Sequence, residues 1–180
     1  MSAVEARAQS SQSPSTDDGF AAGRWHAEFA TQAALEAWNY NTSHEELYAL
    51  VQGITYGLRD GLMLTLRQRL YYVSQRLNDS RVLGLTGGLR GRIFRRGRAS
   101  GFLQFDFGAS DAAIAVPPRG TRFNYLALGG AGILVRMHQR VHLIATLEVI
   151  HISNAGIKGP DRNPDIEAIG PSLGVTIGLK

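Results

Sequence analysis

Leu103-Gln104-Phe105-Asp106-Phe107-Gly108 alternates large apolar side chains with polar or small ones, residue by residue. A period of two is the signature of an extended strand with one apolar and one polar face. The same alternation recurs outward in both directions. Leu64, Leu66, Leu70 and Tyr72 share a face opposite Thr65, Arg67 and Arg69. Leu83, Leu85, Leu89 and Ile93 oppose Thr86, Gly88, Arg90 and Arg92, and Phe29, Ala33 and Leu35 oppose Glu28, Gln32 and Glu36. The polar faces carry both signs. Glu28, Glu36, Asp106 and Glu148 stand against Arg67, Arg69, Arg90 and Arg92, so the mixture can neutralise itself in an enclosed space.

Eight segments read as strands: 24–38, 46–58, 62–75, 81–94, 100–109, 122–136, 141–154 and 166–179. Most are long enough for the ~9–11 residues that a tilted strand needs to cross a bilayer. The connections alternate in length. Those at Arg59-Asp60-Gly61, Arg95–Ala99 and Met137–Arg140 are short, and Asp60-Gly61 is a strong tight-turn signal. Those at 39–45, 110–121 and 155–165 are longer, and 76–80 is intermediate. Short turns on one rim and long loops on the other are the pattern of an outer-membrane barrel, with both termini on the periplasmic, short-turn rim. The expected fold is therefore all-β: an eight-stranded antiparallel transmembrane β-barrel of the outer-membrane type. Periodicity alone fits a soluble barrel equally well, because it does not say which face points inward.

Local signals refine this picture. Trp25, Trp38, Tyr40, Tyr71, Tyr72 and Phe94 lie near strand ends, where aromatic belts sit. Segments 31–38 and 45–52 also admit a short-helix reading. Strand six is rich in glycine (Gly129, Gly130, Gly132), and its faces are ambiguous. Pro171 removes a ladder donor from strand eight and predicts a bulge or kink.

Bulk properties exclude several classes. Of 180 residues, 44% are hydrophobic and 19% charged, which argues against wholesale disorder. The absence of cysteine excludes disulfides and thiolate metal sites. A net charge of +4 with scattered arginines gives no nucleic-acid patch. No apolar run reaches the roughly 18 residues of a transmembrane helix. Residues 1–22 are rich in Ser, Ala, Gln and Asp and lack the apolar core of a secretory signal. They read as a disordered leader ahead of a barrel domain over 23–180.

The chemistry concentrates at one strand end. His151 and Ser153 fall on the apolar face of strand seven, with Val141, Leu143, Ala145, Leu147 and Val149. Glu167 falls on the apolar face of strand eight, with Ile169, Leu173, Val175 and Ile177. Neighbouring antiparallel strands bring opposed Cα atoms within about 4.5–5.5 Å, so Glu167 can reach His151. A serine hydroxyl needs a base to become a nucleophile, and a histidine can supply it at neutral pH. A carboxylate on the other ring nitrogen fixes the tautomer and stabilises the imidazolium. Backbone amides from Asn154 to Gly156, with the Asn154 side chain, can hold an oxyanion. His26, His44, His138 and His142 do not cluster with carboxylates and read as surface or lumen histidines. Asp161 and Asp165 read as parts of a Pro/Asp/Asn turn rather than a calcium site.

The run His151-Ile152-Ser153-Asn154-Ala155-Gly156-Ile157-Lys158, followed by Pro160, Asn163, Ile166 and Glu167, resembles the signature hairpin of the outer-membrane lipid A 3-O-deacylases. The resemblance implies an eight-stranded barrel in the outer membrane of a Gram-negative bacterium. It implies a serine esterase that hydrolyses the 3-O-linked acyl chain of lipid A, with Ser153 as nucleophile, His151 as base and Glu167 as orienting acid. It implies Asn154 as an oxyanion contributor and Asn163 as a supporting loop residue. No cofactor and no metal are expected. Lipid A (lipopolysaccharide) is the expected substrate, and membrane lipids surround the barrel. A homodimer is left open. The rival reading is a non-catalytic structural barrel or a lipocalin-like lipid binder.

Overall fold

Period-two alternation builds eight strands that close into one antiparallel barrel, each paired with its neighbour in sequence and the first with the last. They are β1 (Trp25–Glu36), β2 (Glu46–Arg59), β3 (Leu62–Ser74), β4 (Ser80–Arg96), β5 (Ala99–Val116), β6 (Thr121–Arg136), β7 (Val141–Ser153) and β8 (Ile166–Gly178). The structure, a computed structural model, describes residues 18–38, 44–159, 161 and 163–179. Tyr40, Pro160 and the first 17 residues of the expected leader lie outside the described residues.

The faces are inverted relative to a soluble protein. Leu66 is 46% exposed and Phe105 58%, whereas Arg67 is 1% exposed and Asp106 fully buried. Large apolar side chains thus point outward around the barrel while guanidinium and carboxylate groups are sealed inside. Only a hydrocarbon surround makes that favourable, so the structure decides what periodicity left open. A lipocalin-like binder, with its apolar faces turned to the lumen, is excluded.

The lumen is filled in layers. At mid-height Arg67 Nε lies 2.9 Å from Glu28 Oε1, Arg90 Nη2 donates to the same oxygen at 3.1 Å, and Arg69 Nη1 lies 3.1 Å from Glu148 Oε2. Arg67 also pairs with Asp106, and Thr65 donates to Asp106 at 2.6 Å. Three arginines thus face three carboxylates. Such burial is tolerable because each charge is paired and hydrogen-bonded; a lone one costs several kcal/mol. Glycines on β4 and β6 make the room: a Cβ on Gly88 would meet the Phe105 carbonyl oxygen at 2.0 Å, and one on Gly130 the Leu147 carbonyl oxygen at 2.6 Å. Glu36 and Arg92, which share the polar faces, lie nearer the rims, with His44 and Asp18 as their partners.

Apolar layers cap the charged one. Toward the long-loop rim, Leu47, Val73, Leu126, Ile150, Ile152 and Ile166 pack together; toward the short-turn rim, Phe20, Met63, Phe102, Leu134 and Ile144 do. Phe20 is fully buried, with its ring 6.1 Å from Phe102 and the Arg92 guanidinium 5.6 Å above it. Asp18 reaches Arg92 and, at 3.0 Å, Arg95. Residues 18–22, expected to belong to the leader, therefore close the short-turn end of the barrel.

Other expectations are corrected. β5 runs on to Val116 through what read as the 110–121 loop, because Ser110, Asp111 and Ala112 pair with Gly84, Leu83 and Val82. Backbone pairing does not need apolar side chains. Pro171 causes no bulge: β8 holds one register against β7, and pairing with β1 lapses only between Gln32↔Ser172 and Leu35↔Ile169. The missing donor faces that gap. Segments 31–38 and 45–52 are not helical; β1 and β2 account for most of both. Tyr71 points into the lumen at 2% exposure and leaves the belt, while its neighbour Tyr72 faces outward.

Candidate active site

Register and parity assemble the site. β7 and β8 pair so that His151 lies directly opposite Glu167, and Ile152 opposite Ile166. Ser153, two residues on, returns to the His151 face and pairs with Tyr125 of β6. All three chemical groups therefore stand on the outer, apolar face at the long-loop rim. His151 Nε2 lies 3.0 Å from Ser153 Oγ. His151 Nδ1 lies 3.6 Å from Glu167 Oε1, an ion-pair distance rather than a hydrogen bond. Ser153 is 8% exposed, while the imidazole and the carboxylate are about one-third exposed (39% and 33%). The hydroxyl is sheltered and its partners are reachable.

A tight turn follows the serine. Ala155 and Gly156 both take positive φ, 53° and 71°. Alanine pays a steric cost in this left-handed region, so the turn is held by its bonds. The Asn154 backbone N–H donates to Asn163 Oδ1 at 3.0 Å, and the Gly156 N–H donates to Asn154 Oδ1 at 3.0 Å. Asn154 Nδ2 donates to Thr121 Oγ1 at 3.1 Å, tying the turn to the start of β6. The Asn154 and Gly156 N–H groups and the Asn154 side-chain amide, three of the donors that the sequence offers for an oxyanion, are thus engaged within the protein. Asn163, nine residues downstream of its partner, reaches back across the loop.

An aromatic wall flanks the serine. Tyr125 stacks on Phe107 with ring centres 6.0 Å apart and meets Phe123 edge-on at 5.4 Å. Below His151, exposed Val149, Leu147, Ile169 and Leu173 continue the apolar surface toward mid-membrane. Asp165 stands beside the acid: one ligand atom from each of His151, Asp165 and Glu167 lies within 4.8 Å of the others. Thr121, Phe107, Phe123, Tyr125 and Asp165 escaped the sequence reading as site residues. The two-residue spacing of Asp165 and Glu167, which predicts a shared face, was the available signal for the last. His26 and His142 meet in the lumen with rings 6.3 Å apart, remote from this rim.

The fold and the outward-facing apolar surface define the class: an outer-membrane β-barrel. Solved barrels share its shape. The outer-membrane protein OprG from Pseudomonas aeruginosa superposes with a TM-score of 0.60 at 11% identity over 90% of this chain and 98% of that one. Neisserial surface protein A gives 0.59 at 10% identity, covering 87% and 96%. The outer membrane enzyme PagL gives 0.54 at 17% identity, covering 83% and 99%. A search of curated protein sequences finds no match. The family described as lipid A 3-O-deacylase (PagL) matches residues 3–176, and the chain belongs to that family. It is accordingly an ester hydrolase of the Gram-negative outer membrane.

Proposed function

We propose that Ser153, His151 and Glu167 act as a triad that hydrolyses the 3-O-linked acyl ester of lipid A. The observation that carries this reading is the 3.0 Å contact between His151 Nε2 and Ser153 Oγ on a lipid-facing surface. Ser153 Oγ attacks the ester carbonyl while His151 takes its proton. The imidazolium returns that proton to the departing sugar 3-oxygen, releasing the hydroxyl and leaving an acyl-serine. Water, deprotonated by His151, then attacks the acyl-serine and frees the fatty acid. Glu167 holds the Nδ1–H tautomer and offsets the imidazolium charge.

The surroundings support that chemistry. The acyl chain lies along Leu147, Val149, Ile169 and Leu173, which are exposed on the outward apolar face beside the triad. The sugar head group meets the loop. The Gly156 N–H and Asn154 Nδ2 supply the oxyanion donors by exchanging their present bonds for bonds to substrate. Asn163 fixes the Asn154 backbone so that this turn keeps its position. No step requires a cofactor.

Ser153→Ala tests the reading. Release of fatty acid from lipopolysaccharide, followed by mass spectrometry of lipid A, should fall on the order of 10⁴-fold or more. The heat-modifiable barrel should persist on gels. Undiminished release would remove Ser153 from the mechanism.

A further inference from the structure

We propose that His151, Asp165 and Glu167 form a binding site for a divalent transition metal of the zinc type, and that its occupation switches the esterase off. The proposal rests on the assignment of His151 as the base. Its starting point is geometric. One ligand atom from each of the three side chains lies within 4.8 Å of the other two. The His151 Nδ1 to Glu167 Oε1 distance is 3.6 Å. A direct charge-assisted hydrogen bond would close to about 2.7–2.9 Å. Two ligands held at roughly 2.1 Å from one tetrahedral zinc are about 3.4 Å apart. The His151–Glu167 spacing is thus nearer the edge of a coordination polyhedron than a direct contact, and the other separations, bounded by 4.8 Å, shorten as an ion draws the three atoms in.

The donor set narrows the metal. An imidazole with two carboxylates suits zinc, whereas magnesium and calcium favour oxygen donors alone. All three residues are partly exposed at the loop rim, so an aqueous ion can reach them. The chemical consequence follows from the two ring nitrogens. A metal on Nδ1 uses that lone pair, so the remaining proton of a neutral imidazole sits on Nε2. Nε2 then donates to Ser153 Oγ and cannot accept its proton. The metal also draws Glu167 from its orienting task. Nucleophile activation stops without any change in the barrel, and chelation restores it.

The test uses the full chain in detergent micelles with a short-chain p-nitrophenyl ester, which, unlike lipopolysaccharide, does not itself collect cations. Zinc should inhibit hydrolysis reversibly, with EDTA restoring it, while calcium and magnesium at equal concentration should not. Cobalt, as a spectroscopic probe, should give a visible absorption band that zinc displaces. Asp165→Asn should lose the cobalt band and need at least about tenfold more zinc for half-inhibition, measured against that variant's own metal-free rate. Equal zinc sensitivity in Asp165→Asn and the parent, or no cobalt band in the parent, would overturn the proposal while a silent Ser153→Ala keeps the triad. An Asp165-dependent band with undiminished hydrolysis would overturn it differently, by removing His151 from the reaction.

Discussion

Glu148 and Glu167 sit on adjacent strands of the same hairpin, yet they live in opposite worlds. Glu148 points into the lumen, 3.1 Å from Arg69 and hydrogen-bonded by Gln32 and Gln104. Glu167 points outward at the loop rim, a third exposed, facing an imidazole across 3.6 Å. Parity alone separates them, since alternate residues of a strand face opposite sides. The lesson is that one hairpin can bury one carboxylate in a charge network that holds the barrel together and leave another within reach of solvent, where the proposed triad uses it.

Substitutions can break that division. Glu148→Ala leaves buried Arg69 with only Gln32 and, at 3.8 Å, Asp106 as partners, and removing one member of a buried ion pair costs about 3–5 kcal/mol. The temperature of the heat-modifiable gel shift should drop strongly, with activity lost only as the barrel is lost. Glu167→Gln should do the reverse. Deacylation should fall by about 10²–10³-fold, roughly 3–4 kcal/mol of transition-state stabilisation, with the unfolding temperature unchanged. A stability loss in that variant would erase the contrast. Asn163→Ala removes one hydrogen bond to the turn after Ser153, worth about 1 kcal/mol, and should lower turnover about fivefold with little effect on unfolding. Arg122→Ala breaks an ion pair with Asp111 that is exposed on both sides, so a change of less than about 1 kcal/mol is expected, with normal turnover.

The strand count and the two unlike faces of most strands were legible because they depend on differences between neighbouring residues, whereas which face points to lipid was not. Where both faces of a strand are alike, that signal fails. β7 places Ile144, Ile150 and Ile152 in the lumen opposite equally apolar Leu143 and Val149, so the apolar caps of the interior left no periodic trace. The glycines of β6 were unreadable for a related reason. Their faces are set by what the neighbouring strand must fit, such as Glu148 against Gly130, and not by their own chemistry. His151, Ser153 and Glu167 were legible as chemical types within one hairpin. The tie from Asn154 to Thr121, across 33 residues, depends on β6 lying beside β7, which no local window contains. Phe20 was illegible as a plug because a single phenylalanine among small residues looks like any linker until Phe102 and Arg92 surround it.

The filled interior has a physiological corollary. With Phe20 wedged into one end, isoleucines and leucines closing the other, and an interlocked charge layer between them, the described residues leave no continuous column for water through the barrel. Ions and small solutes have no passage. The cell can therefore carry this enzyme in its outer membrane without short-circuiting the permeability barrier that the same lipid maintains.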